Sequence, residues 1–258
     1  MTKRITISTL DAMKSSGDKF VMITAYDATF ARLASEAGAE TILVGDSLGM
    51  VLQGHETTIP VSLDAMVYHT ECVARAKPRS LIVADLPFMS FSNSDDALHA
   101  STQLMQAGAQ MVKLEGGTWL SDSINRLVER GVPVCAHLGL TPQSVNVFGG
   151  YRVQGRTPKE AKSILADAVE IQDAGASLLV LECIPAELAG DIASKLDIPV
   201  IGIGAGGGTD AQVLVLHDML GMTESAPKFV QNFMKGADSI QDALATFVRA
   251  VKSGEYPQ

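Results

Sequence analysis

The sequence predicts a (β/α)8 barrel, and two observations carry that prediction. About eight short apolar segments alternate with helical segments over 258 residues, the rhythm of parallel strands joined by crossover helices. Five of these segments end on one polar side chain able to do chemistry: Asp46, Asp85, Glu115, His137 and Glu182. The carboxyl ends of barrel strands form a single mouth, so these side chains are expected to converge there.

The first half of the chain follows the strand–helix order without interruption. Short apolar runs bounded by turn residues indicate strands buried on both faces, and apolar residues at helical spacing indicate the helices between them. The strands are predicted at residues 20–25, 41–45, 81–84 and 111–114. The helices are predicted at residues 27–37, 63–76, 95–107 and 121–130.

The second half continues the order and contains the clearest helix start. Thr157 as N-cap, Pro158 at the first helical position and Glu160 form a capping box. Strands are predicted at 133–136, 178–181, 199–203 and 213–216, and helices at 157–174, 186–195 and 239–252. Two long connections, 47–62 and the glycine-rich 138–156, follow strands at the mouth and are candidate lids.

An open doubly wound sheet is the alternative architecture. Its glycine fingerprint should follow the first strand, but Gly-x-Gly-x-Gly occurs late, at Gly202, Gly204 and Gly206. Those glycines could cradle an anion or simply allow close packing. No linker or change in composition divides the chain, so residues 1–258 are expected to form one barrel domain with a C-terminal helix.

Composition excludes several classes of partner. The formal net charge is −9, which argues against nucleic acid and anionic membranes, because both reward clustered Lys and Arg. No apolar run reaches the roughly 18 residues that a membrane helix needs. The three cysteines are widely spaced without a CxxC pair, which favours a reducing compartment, and the cytoplasm is expected.

Three carboxylates on consecutive strands predict a metal site. Asp46, Asp85 and Glu115 would repel one another in one mouth unless a positive group lay between them. All-oxygen ligands without sulfur favour Mg²⁺, with Mn²⁺ as a substitute. The alternative is that these carboxylates cap helices or form ordinary ion pairs.

Lys113, His137 and Glu182 are the other candidate site residues. Lys113 stands two residues before Glu115 and faces the same side of its strand, as an ion-pair partner, a substrate contact or both. His137 is either a satisfied hydrogen-bonding residue or a donor to a substrate oxygen. Glu182 stands apart from the three carboxylates among apolar neighbours, which suits a general base, although a helix-capping role is the alternative.

These parts together indicate enolate chemistry. A Mg²⁺ held by carboxylates can chelate a 2-oxo acid and acidify the carbon next to its keto group. A base then removes that proton and the enolate attacks a carbon electrophile, which neither composition nor spacing identifies. A non-catalytic binding or assembly barrel is the opposing hypothesis, and it gives no reason for five ionisable strand ends.

Several stretches resemble the ketopantoate hydroxymethyltransferase family. The most specific is His-Leu-Gly-Leu-Thr-Pro-Gln-Ser at 137–144, continued at 148–151 and 154–156. The others lie at 24–27, 44–49, 54–58, 84–88 and 112–117. The matching stretches extend from near residue 20 to His217 and Asp218, nearly the whole chain.

The resemblance implies a barrel of the phosphoenolpyruvate/pyruvate-type superfamily and a one-carbon transferase of pantothenate biosynthesis. The expected reaction joins 3-methyl-2-oxobutanoate, 5,10-methylenetetrahydrofolate and water to give 2-dehydropantoate and tetrahydrofolate. The family pattern assigns the metal to Asp46, Asp85 and Glu115, and the proton acceptor to Glu182. It assigns oxo-acid contacts to Asp46, Ser47, Asp85 and Lys113, with His137 in the same motif.

The family also implies a cytoplasmic homodecamer. A Mg²⁺-dependent C–C lyase or mutase acting on a 2-oxo acid is the alternative within the superfamily. Those relatives carry a Lys/Arg-x-Cys-Gly-His segment, and this sequence has no Cys-Gly pair.

Overall fold

Eight parallel strands close into a barrel in chain order, which confirms the predicted fold class. In the computed structural model, which describes residues 4–224 and 226–257, each strand pairs with the next and β8 pairs with β1. The strands are β1 Phe20–Thr24, β2 Thr41–Val44, β3 Leu81–Asp85, β4 Met111–Glu115, β5 Val134–Gly139, β6 Leu178–Glu182, β7 Val200–Ile203 and β8 Ala211–Leu214. The predicted domain 1–258 includes residues 1–3, 225 and 258, which lie outside the described residues.

The helices surround this barrel. They are α1 Ile7–Ser16, α2 Ala28–Ala37, α3 Leu48–Val51, α4 Leu63–Arg75, α5 Ser94–Gln106, α6 Ser121–Glu129, α7 Val145–Phe148, α8 Pro158–Asp173, α9 Ala186–Lys195, α10 Leu216–Met219 and α11 Ile240–Ser253. Two 3-10 turns, Thr118–Leu120 and Pro142–Ser144, lie in the connections. The capping box of Thr157 and Glu160 is formed as predicted at the start of α8.

Strand alternation decides which side chains face the barrel interior. Successive strand residues point to opposite faces, so every second residue is interior. Leu81 and Val83 of β3 belong to the interior cluster, whereas Ile82 packs toward the helices. Asp85 follows in the same phase at the top of that strand. The same alternation places Lys113 and Glu115 above Met111.

Helix α1 closes the amino-terminal end of the barrel. Its Leu10 is fully buried in the interior cluster, and Lys14 Nζ lies 2.8 Å from Asp210 Oδ2. Asp210 Oδ2 also accepts a hydrogen bond from the Val200 N–H at 2.8 Å. No sequence pattern predicts α1, because Leu10 is the helix's one buried residue and no apolar stripe marks it.

The structure corrects the predicted start of the eighth strand and decides between the two interpretations of the late glycines. The eighth strand begins at Ala211, two residues before the predicted start, and residues 215–216 lead into α10. Of the two readings of the late glycines, the geometry supports close packing. A Cβ on Gly204 would meet the Phe229 ring at 2.6 Å, and one on Gly206 would meet Ala186 Cβ at 2.4 Å.

Within the described residues, no helix combines the length and apolar character needed to cross a membrane.

Candidate active site

The five polar strand ends lie in one cluster at the mouth of the barrel. Register makes them neighbours, since Asp85 pairs with Lys113, Glu115 with His137, and Gly139 with Glu182. Four of them are buried, with Asp85 and His137 each 2% exposed, and the Glu182 side chain is 16% exposed. Buried charges without partners are costly, so the contacts among these groups determine what the site can do.

Lys113 lies between two carboxylates. Its Nζ is 2.8 Å from Asp85 Oδ1 and 3.5 Å from Glu115 Oε1. Burial alone would lower the pKa of Lys113, but the surrounding carboxylates, Asp85 first and then Glu115, raise it above its usual value. The lysine is therefore a fixed positive charge, and the ion pair expected for it is present.

His137 bridges Glu115 and Glu182. Its Nδ1 donates to Glu115 Oε1 at 3.2 Å, and its Nε2 lies 3.3 Å from Glu182 Oε2. Burial and Lys113 both act to lower the pKa of His137, but Glu115 and Glu182 raise it to about 9. The neighbouring carboxylates thus favour the protonated ring, which links Glu115 to Glu182, the predicted base.

Glu115 is fully engaged by the protein. Beside its contacts through Oε1, its Oε2 accepts the main-chain N–H of Gln143 at 3.0 Å. Burial alone would raise the pKa of Glu115, yet Lys113 and His137 lower it to about 2. Its carboxylate is thus ionised, with both oxygens committed.

Gln143 is a site residue that the sequence analysis did not assign. Its side-chain amide donates to Asp46 Oδ2 at 2.8 Å and to the Leu86 carbonyl at 2.9 Å. Together with its main-chain bond to Glu115, Gln143 connects the ends of β2, β3 and β4. Its position inside the family-like 137–144 block was the available signal.

Ser47 and Tyr26 form a second layer beside Asp46. The Tyr26 phenol and the Ser47 hydroxyl are 2.9 Å apart, and Tyr26 is 1% exposed. Gly45 occupies the inward position just before Asp46. A Cβ there would lie 2.9 Å from Ser47 Oγ and 3.5 Å from Asp85 Oδ2, so glycine keeps this part of the mouth open.

The helix-capping alternative does not describe Glu182 or Asp46. Helix α9 has Pro185 at its N-cap and no side-chain cap bond, so Glu182 does not cap it. Likewise, no side chain caps α3, which follows Asp46. Asp85 Oδ2 does accept a main-chain bond, from the Asp46 N–H at 3.0 Å, which ties β3 to the end of β2.

The charges at the mouth do not balance. Four carboxylates (Asp46, Asp85, Glu115 and Glu182) face one lysine and one histidine, so negative charge is in excess even with the imidazole protonated. Burial, followed by Asp85 and Glu115, raises the pKa of Asp46 well above its usual range. An added cation would relieve this excess.

The donor set fits a hard cation that takes few protein ligands. In residues 4–224 and 226–257, no group of three or more His, Cys, Asp or Glu side chains is arranged to enclose a metal ion. Asp85 Oδ1, however, is buried with no partner beyond its 2.8 Å ion pair with Lys113 Nζ. Mg²⁺ is commonly held by one or two carboxylates, with water and substrate oxygens completing its shell.

Solved structures with the same barrel belong to enzymes. Phosphonopyruvate hydrolase in complex with oxalate and Mg²⁺ has a TM-score of 0.61 at 14% identity, covering 81% of this chain and 80% of that one. Oxaloacetate acetylhydrolase in complex with 3,3-difluorooxalacetate has a TM-score of 0.62 at 13% identity, covering 100% and 99%. At such identities the likeness establishes the fold alone. A third similar structure is 2,3-dimethylmalate lyase, a member of the PEP mutase/isocitrate lyase superfamily (TM-score 0.57, 16% identity, 81% and 80% coverage).

Barrel and acidic mouth together define a (β/α)8-barrel enzyme. Comparison of sequences then gives the family. The profile of ketopantoate hydroxymethyltransferase matches residues 4–258. A 3-methyl-2-oxobutanoate hydroxymethyltransferase 2 of Pseudomonas fluorescens is 57% identical over 255 residues, 98% of this chain and 96% of that protein. The 3-methyl-2-oxobutanoate hydroxymethyltransferase of Marinobacter nauticus is 58% identical over 254 residues, with the same coverage. The chain belongs to the ketopantoate hydroxymethyltransferase family.

Proposed function

We propose that this enzyme transfers a hydroxymethyl group from 5,10-methylenetetrahydrofolate to 3-methyl-2-oxobutanoate, giving 2-dehydropantoate and tetrahydrofolate in pantothenate biosynthesis. The observation that carries the proposal is the continuous cluster from Asp46 to Glu182 at the mouth of a barrel with this family's sequence. The methylene carbon forms a bond to C3 of the oxo acid, and the oxygen of water becomes the new hydroxyl. The C3 proton and one proton of water replace the two bonds lost by the folate nitrogens.

Asp46 and Asp85 are the residues proposed to hold Mg²⁺, or Mn²⁺ in its place. Asp46 keeps one carboxylate oxygen outside its bond to Gln143, and Asp85 Oδ1 has only the Lys113 ion pair, whereas both Glu115 oxygens accept hydrogen bonds. Glu115 therefore acts on the ion through water or through its charge. Held by these residues, a Mg²⁺ ion would supply Lewis-acid polarisation of the keto group and stabilisation of negative charge on its oxygen.

The other residues orient the oxo acid and move its proton. The Lys113 ammonium, fixed beside Asp85, attracts the carboxylate of the oxo acid, and the Ser47 hydroxyl can donate to it. Glu182 accepts the C3 proton, because it lies at the mouth with a side chain only 16% exposed and caps no helix. The His137 imidazolium holds Glu182 in place and compensates the charge of Glu115.

The proposal predicts proton exchange before any transfer. With 3-methyl-2-oxobutanoate in deuterated water, NMR should show Mg²⁺-dependent loss of the C3 proton signal in the absence of folate. Adding 5,10-methylenetetrahydrofolate should then produce 2-dehydropantoate. Exchange that proceeds equally without Mg²⁺, or an absence of exchange, would contradict the proposed enolisation.

A C–C lyase or mutase acting on a 2-oxo acid is the second candidate, favoured only by the shared fold. The sequence contains none of the Lys/Arg-x-Cys-Gly-His segment expected for it. Cleavage of a 2-oxo-acid C–C bond without folate would be its signature in the same NMR experiment.

The setting of the enzyme is also part of the proposal. We place one barrel domain per chain in the cytoplasm, as a homodecamer with small-molecule substrates and no nucleic acid or membrane partner. Three free cysteines suit a reducing compartment. Apolar side chains exposed on the outer helices, such as Tyr68 of α4 and Val169 of α8, supply surface that neighbouring subunits could cover.

A further inference from the structure

The segment after α7 has no part in the chemistry described so far, although it carries part of the family resemblance. Residues 151–156 cross the rim of the mouth. The Tyr151 hydroxyl donates to Met50 Sδ at 3.5 Å, on the helix that follows Ser47. The Gln154 N–H donates to the Cys183 carbonyl at 2.9 Å, next to Glu182. This rim segment therefore spans from the metal carboxylates to the base.

The rim segment is built to hold its shape. The Gln154 side chain donates to the Arg152 carbonyl at 2.9 Å and closes a local turn. Gly155 has φ +72°, and a Cβ there would come within 2.8 Å of Leu188 Cδ2, so the backbone lies directly on α9. Arg152 and Arg156 are thus projected from a backbone anchored on both sides.

The two arginines border a groove of about 550 Å³. Ligand sites in proteins typically have ~300–1,000 Å³. The groove is lined by Arg152, Val153, Gln154, Arg156, Thr157 and Glu160. Glu160 accepts the Thr157 N–H at 3.1 Å as part of the helix cap. Among the described residues, neither arginine has a carboxylate within ion-pair distance.

The two arginines place positive charge beside a negatively charged mouth. The chain has a net charge of −9 and the mouth has an excess of carboxylates, so an anionic co-substrate is repelled on approach. The folate must bring its methylene carbon to the base while its glutamate tail leaves the mouth. The tail's carboxylates need cations on the rim, and guanidinium groups bind carboxylates in a two-pronged geometry.

We propose that the groove between Arg152 and Arg156 binds the carboxylates of the glutamate tail of the folate co-substrate. This proposal rests on the proposed function for the identity of the co-substrate. It assigns the rim segment to binding and leaves proton removal at C3 to the deeper cluster.

Equilibrium binding tests the proposal without turnover. Calorimetry with Mg²⁺ and 3-methyl-2-oxobutanoate present would compare tetrahydrofolate, its triglutamate form and tail-free tetrahydropteroate, on the wild type and on an R152Q/R156Q double variant. We expect the double variant to lose about tenfold in affinity for both glutamated ligands at low salt. Affinity for tetrahydropteroate should be equal in the two proteins, and added NaCl should shrink the difference for the glutamated ligands. Arg249→Gln, an exposed arginine on α11, is the matched control and should change none of these affinities.

Equal affinity of wild type and double variant for the glutamated ligands would overturn the groove proposal. So would an equal loss for the tail-free ligand, because the arginines would then act elsewhere. C3 proton exchange needs no folate and should be unchanged in the double variant. If the wild type transfers the hydroxymethyl group but binds glutamated and tail-free ligands with equal affinity, the groove proposal fails and the proposed function stands. If it binds the tail through the arginines but transfers nothing, the groove stands and the function fails.

Discussion

Both ends of the barrel carry carboxylates that pair with lysine, but only at the closed end does each of these carboxylates have a lysine of its own. At the closed end, Asp210 and Glu40 each have one lysine, Lys14 at 2.8 Å and Lys252 at 2.5 Å. Each also accepts a main-chain N–H, from Val200 and Val21 respectively. At the mouth, four carboxylates share one lysine and one histidine, and Asp85 Oδ1 and His137 Nε2 have ion-pair contacts without hydrogen bonds.

The difference shows how one fold separates stability from activity. A buried carboxylate with a complete set of partners contributes to the folded state, and removing it leaves those partners unsatisfied. A buried carboxylate with too few partners is repelled by its neighbouring carboxylates. A bound ligand can supply the positive charge or hydrogen-bond donor that the protein does not. Four substitutions test this contrast, from the largest expected effect on activity to the smallest.

Glu182→Gln should lower the rate of C3 proton exchange by about 10²- to 10⁴-fold, because a positioned base contributes that much to proton transfer. Binding of the oxo acid with Mg²⁺ should persist, since the metal carboxylates are untouched. The exchange is measured by NMR in deuterated water. Glu187→Gln, at an exposed position in the first turn of α9, is the control, and this variant should show C3 proton exchange at the native rate. Native exchange in Glu182→Gln would show that another group is the base.

Asp46→Asn should weaken Mg²⁺-dependent binding of the oxo acid by more than about 100-fold, because it removes a proposed direct ligand. It should not lower the melting temperature of the metal-free protein, since it removes one charge from a region with excess negative charge. Calorimetry and thermal melting give the two values. Unchanged affinity would exclude Asp46 from the metal site.

Gln143→Met should weaken the same binding by about 10- to 100-fold, the usual cost of losing a residue that orients a metal ligand. The variant keeps the main-chain bond to Glu115 and loses the side-chain bonds to Asp46 and Leu86. Calorimetric affinity is the measurement. Asn146→Met, an exposed position on α7, is the control. Native affinity in Gln143→Met would mean that Asp46 is oriented without it.

Asp210→Ala should leave the rate of hydroxymethyl transfer unchanged and lower the free energy of unfolding by about 2 kcal/mol. The change leaves the Val200 N–H without its acceptor and Lys14 without its carboxylate. Urea denaturation measures the loss, with Asp197→Ala on the exposed surface as control. A loss of activity at native stability would abolish the distinction between the two ends.

Much of the barrel and its mouth could be predicted from sequence, because the signals are local. Each strand is a short apolar run, and a polar residue at its end in the inward phase must face the interior. Asp85, Glu115, His137 and Glu182 are all recognisable in this way. Asp46 follows its strand by two residues and was recognised by the same apolar run.

What escaped prediction depends on contacts between distant parts of the chain. Gln143 acquires its role because a 3-10 turn brings it to Asp46, 97 residues away, and only its place in the family-like 137–144 block distinguishes it from a surface glutamine. The direction of the rim arginines and the closing helix α1 are likewise tertiary properties. The eighth strand was predicted two residues too late, because the apolar run at 213–216 continues past the end of the strand at Leu214 into α10.

Because Gly45 has no side chain, it limits which substitutions the enzyme can tolerate at this position. A single added methyl would come within 3 Å of Ser47 Oγ, at 2.9 Å, although Gly45 itself performs no chemistry. In a saturation scan, position 45 should therefore be as intolerant as the carboxylate beside it. Every replacement would have to displace the Ser47 hydroxyl from its contact with Tyr26, so the shape of this mouth depends partly on the space left by glycine.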